Sequence, residues 1–200
     1  MIALERPVAV ERQHFRQSVS HFATGIAIVS CLDDDEHPRG MTVNSFTSVS
    51  LDPPSVLVSL KPGRTHTLVQ RRGRYGVSVL TDDQERWSQH FSGRPQPDLD
   101  VAWEIRAQVP VLRDALAWFA CEVDHRVAVH DHMLFVARVV DCGHAGGEPL
   151  MFYASRFHRP HAGRGGLTAH PDREASTELI RSSCPRAPGS APPSPGTAPR

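Results

Sequence analysis

The stretch R39-G-M-T-V-N-S-F-T-S-V-S-L-D-P-P54 decides how the chain is read. Its length and its Val, Thr and Phe content are those of a strand. Yet Thr42, Asn44, Ser45, Thr47, Ser48 and Ser50 put hydroxyls and an amide where a core strand carries Val or Ile. Small hydrogen-bonding groups offer donors and acceptors at short reach, which suits a flat heterocycle with alternating C=O and N–H edges. The same groups also satisfy turns and strand ends, so on this stretch alone a ligand wall and turn chemistry stand equally open.

The text on either side predicts a mainly β domain. Phe15, Val19 and Phe22 recur at helical spacing, so an amphipathic helix opens the domain over about 10–22, with Thr24-Gly25 as its stop. AIVSCL (27–32) reads as a strand, DDDEHPRG (33–40) as an exposed turn, and the opening stretch as one further strand ended by LDPP. SVLVSLK (55–61) is a short strand and RTHTLVQRR (64–72) a short helix with Thr65 as candidate cap. YGVSVL (75–80) is a buried strand, and Thr81-x-x-Gln84 is a capping box for a helix to about Phe91. From Ala117 to Val129 apolar residues hold the odd positions and Glu122, Asp124 and Arg126 even ones, the period of a long strand with one solvated face. HDH (130–132) is its turn, MLFVARVVDC (133–142) the return, and PLMFYASRF (149–157) the last strand. Short strands with polar turns and few helices predict a closed antiparallel β-barrel with peripheral helices.

Totals bound the rest. Two hundred residues make one cored domain, taken as 11–159, behind an N-terminal arm at 1–10. The last 41 residues hold 8 Pro and 5 Gly and read as a disordered tail over 160–200. Basic and acidic residues balance at 22 each, which favours neither nucleic acid nor an anionic membrane surface. No stretch approaches the roughly 20 apolar residues of a membrane span, and the start has no signal-like run, so a cytoplasmic protein is expected. Cys31, Cys121, Cys142 and Cys184 lack CxxC spacing and read as reduced thiols, three of them in core strands.

Chemistry first appears in SLKPGRTH (59–66). A strand end, Lys61, a glycine turn, Arg64 and a hydroxyl stand before a helix start, where free amides and cations suit a phosphate. Three or four charge-assisted bonds there would hold a mononucleotide at micromolar affinity, about 8 kcal/mol after ordering costs. FSGR (91–94) repeats the theme weakly. His125, His130 and His132 lack further ligands at metal spacing, so no metal is expected, whereas Asp131 beside His132 suits a histidine of defined tautomer. GxGxxG after a strand, GxxxxGK[ST], GxSxG and HExxH are all absent.

Taken together, FATGIAIVS (22–30), GMTVNSFTSVSLDPPSVLVSLKPGRTHT (40–67), YGVSVLTDDQ (75–84), FSGR, DALAWFACEV (114–123), DH (131–132) and PLMFYASRFHR (149–159) resemble the flavin reductase family. The resemblance implies an FMN-binding split barrel of Greek-key kind, a homodimer, and reduction of dissociable FMN or FAD by NADH or NADPH for a separate flavin-dependent monooxygenase. By position it places Thr42, Asn44 and Ser45 on the flavin ring with Ser59, Leu60 and Lys61 beside them. Arg64, Thr65 and His66 border the phosphate, and Phe91, Ser92 and Arg94 complete that side. His132 meets the nicotinamide as the catalytic histidine, and Tyr153 closes the pocket. One departure stands out: the family's GDH glycine is His130 here, at a turn position suited to positive φ. A barrel that keeps its flavin for its own substrate, and a non-catalytic flavin-binding module, are the competing readings.

Overall fold

The computed structural model describes residues 9–160; the first eight residues of the expected arm and the expected tail from residue 161 lie outside them. Helix α1 (Arg12–Ser20) is followed by β1 (Thr24–Gly25), β2 (Ala27–Leu32), β3 (Pro38–Val43), β4 (Thr47–Leu51) and β5 (Pro54–Leu60). Then come α2 (Arg64–Arg72), β6 (Arg74–Val79), α3 (Glu85–Phe91), β7 (Trp103–Arg106) and β8 (Val109–Leu112). The long hairpin β9 (Ala117–Val129) and β10 (His132–His144) precedes β11 (Met151–Tyr153) and β12 (Arg156–His158).

Seven strands form one sheet in the order β3-β2-β6-β9-β10-β5-β4, all pairs antiparallel. Its two edge strands, β3 and β4, are consecutive in the chain and joined by residues 44–46 alone. Such a link reaches at most about 14 Å, whereas seven flat strands spread about 29 Å. The sheet must therefore curl so that its two edges approach at the 44–46 corner, although β3 and β4 do not pair with each other. Ser45 sits at that seam: its Oγ donates to the Ser59 carbonyl at 2.9 Å and accepts from the Ser59 N–H at 3.1 Å. The mainly β, split-barrel class is thus a consequence of one short link.

The core divides in two. Val29, Val58, Leu60, Val69, Tyr75, Val77 and Phe135 fill the space inside the curl, and Ile28, Leu80, Leu112 and Leu150 form a second cluster beside it. The β7–β8 hairpin covers β6, where a Cβ on Gly76 would lie 2.2 Å from the Pro110 carbonyl. Only glycine permits that approach. Ser78 Oγ accepts the Leu112 N–H at 2.9 Å and fixes the seat.

Several sequence expectations change. The 39–54 stretch is two strands broken at Asn44–Phe46, because the curl needs a corner there. Thr24-Gly25 pairs with β11 and does not stop α1, which ends at Ser20. Thr65 is no cap; Gly63 occupies that position without a side-chain bond, and Thr65 lies inside the first turn with 5% exposure. Half of the capping box forms, with Gln84 Oε1 accepting the Thr81 N–H at 3.0 Å, and the helix begins at Glu85. The hairpin β7–β8 was not foreseen, and 149–157 is two strands. Both turns, Ala107-Gln108 and Ala154-Ser155, have positive φ at both residues without the Gly or Asn that signals them. Along β9 the odd face is buried or half-buried to Val123; beyond the bulge near Asp124 both faces of the strand are exposed, Val127 and Val129 included. Cys31 and Cys121 are buried free thiols, but Cys142 is exposed, because the β10 edge near it is solvated. Cys184 lies outside the described residues.

Candidate flavin and nicotinamide site

The hydroxyl-rich stretch forms a wall whose polar groups are largely tied to backbone. Thr42 Oγ1 donates to the Ser88 carbonyl of α3 at 2.6 Å, and Ser45 is committed to Ser59. Asn44 differs: its carboxamide is exposed and makes no hydrogen bond among the described residues. Leu60 has no exposed surface and belongs to the core, so its side chain is a support for the wall and not its face. Asn44, Ser45 and Phe46 line a cleft of about 360 Å³ together with Phe22, Thr24 and Gly25. That volume lies in the range of small-molecule sites. Phe22 and Thr24 were missed as lining, since a two-residue strand gives no periodic signal.

Lys61, Pro62 and Gly63 carry β5 into α2, whose first amides have no intrahelical partner and no side-chain cap. Lys61 is exposed, with Nζ 3.8 Å from Asp131 Oδ2. Arg64 reaches the buried Asp33 Oδ2 at 3.0 Å. Asp33 also accepts from Arg39 Nε at 2.7 Å and from the amides of Asp35 and His37. The Arg39 hydrogen bond first, and the His37 amide second, draw its carboxyl from 3.8 to about 2. His66 packs edge-on to Phe135 with centroids 5.6 Å apart, which joins α2 to β10.

On the α3 side, Phe91 packs edge-on to Trp103 and against Gly40, where an added Cβ would lie 2.9 Å from its ring. Its ring is a packing element at the helix end. Ser92 is exposed and its Oγ donates to the Gln89 carbonyl at 2.9 Å; Arg94 is exposed.

The hairpin tip meets the turn by strand register. Leu60 pairs with Met133 and Ser59 with Leu134, so Lys61 and His132 follow at the same end of adjacent strands. His132 Nδ1 lies 2.8 Å from Asp131 Oδ1. A carboxylate only accepts, so Nδ1 carries the proton and Nε2 of neutral His132 remains an acceptor. Bonding to His132 lowers the Asp131 carboxyl pKa. His130 adopts φ 51°, the left-handed conformation that its place in the turn suggested. Tyr153 is set by the β1-β11-β12 sheet, with its ring edge-on to His21 and His158 at 6.0 and 5.8 Å. Of the expected residues, Lys61 and His132 meet at Asp131, and Ser45 joins the 44–46 corner to Ser59; Phe91, Ser92 and Arg94 stay at the α3 end, and Tyr153 belongs to the sheet that carries Thr24.

An exposed amide, a donor-lined cleft and a helix start with two cations fit a ring and an anionic tail. Fold and site together define a β protein built to bind a mononucleotide-like cofactor. A family model for the flavin reductase like domain matches residues 19–161. The chain belongs to this family, and is a flavin-reducing oxidoreductase. It is 52% identical over 163 residues to the NADH-dependent flavin reductase StyB of Pseudomonas fluorescens, covering 78% of this chain and 96% of that one. Among solved structures, the styrene monooxygenase flavin reductase (SMOB) from Pseudomonas putida S12 matches with TM-score 0.69 and 53% identity, covering 72% of this chain and 95% of that one. The flavin reductase PheA2 in its native state matches with TM-score 0.72 and 34% identity over 75% of this chain and 98% of that one.

Proposed function

We propose that the chain is the reductase half of a two-component system, which takes hydride from NADH or NADPH to a dissociable FMN or FAD and passes reduced flavin to a separate monooxygenase. The observation that carries this is the meeting of Lys61 and His132 around Asp131, which sets a candidate nicotinamide contact beside a candidate flavin turn. When bound, nicotinamide and flavin supply the hydride chemistry between them. The chain's own residues bind and orient. Asn44 and the 44–46 corner offer donors and acceptors to a ring in the cleft, with Ser45 holding the corner. Lys61 and the first α2 amides, with Arg64, Thr65 and His66 around them, take the phosphate end, and Ser92 and Arg94 flank it. Phe91 and Leu60 support these surfaces from behind, Tyr153 stands on β11, the strand paired with the cleft residues Thr24 and Gly25, and His132 presents Nε2 to the nicotinamide carboxamide.

The assembly is a homodimer and the protein works in the cytoplasm. Support for a second copy comes from α1 and the turn after it, where Phe15 and Val19 on the helix and Phe22 beyond it are 61%, 51% and 75% exposed and Phe22 lines the cleft. No helix among the described residues is long and apolar enough to cross a membrane.

The test is oxidation of NADH and NADPH with riboflavin, FMN and FAD in turn. The expected result is colourless protein that consumes nicotinamide only when flavin is added. Yellow protein that keeps its flavin through dialysis, or no oxidation with any pair, overturns the proposal. Sedimentation of the same sample at twice the monomer mass supports the dimer.

A further inference from the structure

We infer that Asp131 is a specificity-determining residue that holds down the site's preference for phosphate-bearing flavins. This rests on the reading of the β5–α2 turn as the phosphate end. A turn built only to grip phosphate would leave its cations free. Here both are paired: Lys61 with Asp131 at 3.8 Å, and Arg64 with the buried Asp33 at 3.0 Å. Counting Arg39 on Asp33, five charged groups around the turn carry one net positive charge.

The two carboxylates hold their cations differently. Asp33 is buried and accepts from four donors, so Arg64 is braced to the β2–β3 turn. Asp131 is 75% exposed and Lys61 67%, so that pair is a loose contact which an arriving phosphate can displace. A phosphate on Lys61 meets the Asp131 charge as a repulsion. One unit charge near 4 Å in water changes an affinity about fivefold. The ring, held by the uncharged 44–46 corner, does not sense this term. Affinity is therefore set mainly by the ring that all flavins share, which keeps the phosphate from anchoring a flavin that must leave.

The experiment is titration of riboflavin, FMN and FAD, without nicotinamide, on the full chain and on Asp131→Asn, Lys61→Met and the double variant. Asp131→Asn is expected to tighten FMN by three- to tenfold and leave riboflavin within about twofold. The double variant loses that gain. If Asp131→Asn moves FMN and riboflavin together, or tightens neither, the role of Asp131 is wrong; the phosphate assignment stands where Lys61→Met selectively weakens FMN. If Lys61→Met leaves the ratio of FMN to riboflavin affinity unchanged, the phosphate assignment itself falls.

Discussion

In the wall made by β3, residues 44–46 and β5, Ser45 is bonded twice to Ser59, Thr42 is bonded to α3, and Leu60 has no exposed surface. At the hairpin tip every residue from Asp124 to Asp131 is exposed, and the shape rests on one two-residue turn with His130 at φ 51°. Both regions carry polar groups toward the proposed site. Packing and hydrogen bonds over-determine the first, while the second is held by register and one histidine–carboxylate bond. The wall should therefore respond to substitution through stability, and the tip through ligand use without loss of stability, nicotinamide at His132 and the flavin phosphate at Asp131.

The largest test of that contrast is Leu60→Ala. Removing a fully buried leucine is expected to cost about 2–5 kcal/mol in denaturant unfolding; a loss under 1 kcal/mol would show that the wall is not packed as described. Ser45→Ala leaves the Ser59 N–H and C=O without their partner at the seam, with an expected loss of about 1–3 kcal/mol and weaker binding of all flavins alike. Unchanged stability with selective loss of one flavin would assign Ser45 to ligand contact instead. His132→Ala should raise the nicotinamide KM by about tenfold, roughly 1.4 kcal/mol, and leave flavin affinity and unfolding midpoint in place. Equal loss of flavin and nicotinamide binding would erase the distinction between wall and tip.

Smaller effects sharpen it. His130→Gly relieves a left-handed side chain and is expected to change stability by no more than about 1 kcal/mol, toward greater stability, with turnover retained. If turnover falls, the imidazole has a use beyond the turn. The smallest effect is confined to acid. Asp33's carboxyl is drawn from 3.8 to about 2, so its contribution is present above 3.8 and is lost as pH falls toward 2. Asp33→Asn should flatten that limb of an acid-unfolding curve, and an unchanged limb would remove Asp33 from its cause.

Much of this could be read from residues in order. Lys61, Arg64 and His66 stand within six positions, and Asp131 beside His132, so their chemistry needed no long-range knowledge. The β9–β10 hairpin was legible from its period-two text as far as Val123. What escaped was backbone geometry without a sequence mark: the Ala107-Gln108 and Ala154-Ser155 turns lack glycine and asparagine, and the bulge near Asp124 carries no special residue.

By itself, then, the sequence determined the mainly β class and the strand–turn–helix with its cations, which depend on local propensity and spacing; the resemblance to the family marked His130 as standing where a glycine is usual. Only the tertiary structure decided that Ser45 closes a seam, that Arg64 and Lys61 face carboxylates 31 and 70 residues away in the chain, and that β3 and β4 are opposite edges of one sheet. The physical reason is the curl: a three-residue link between edge strands brings distant segments together, and no local pattern encodes which hydroxyl or charge will meet there.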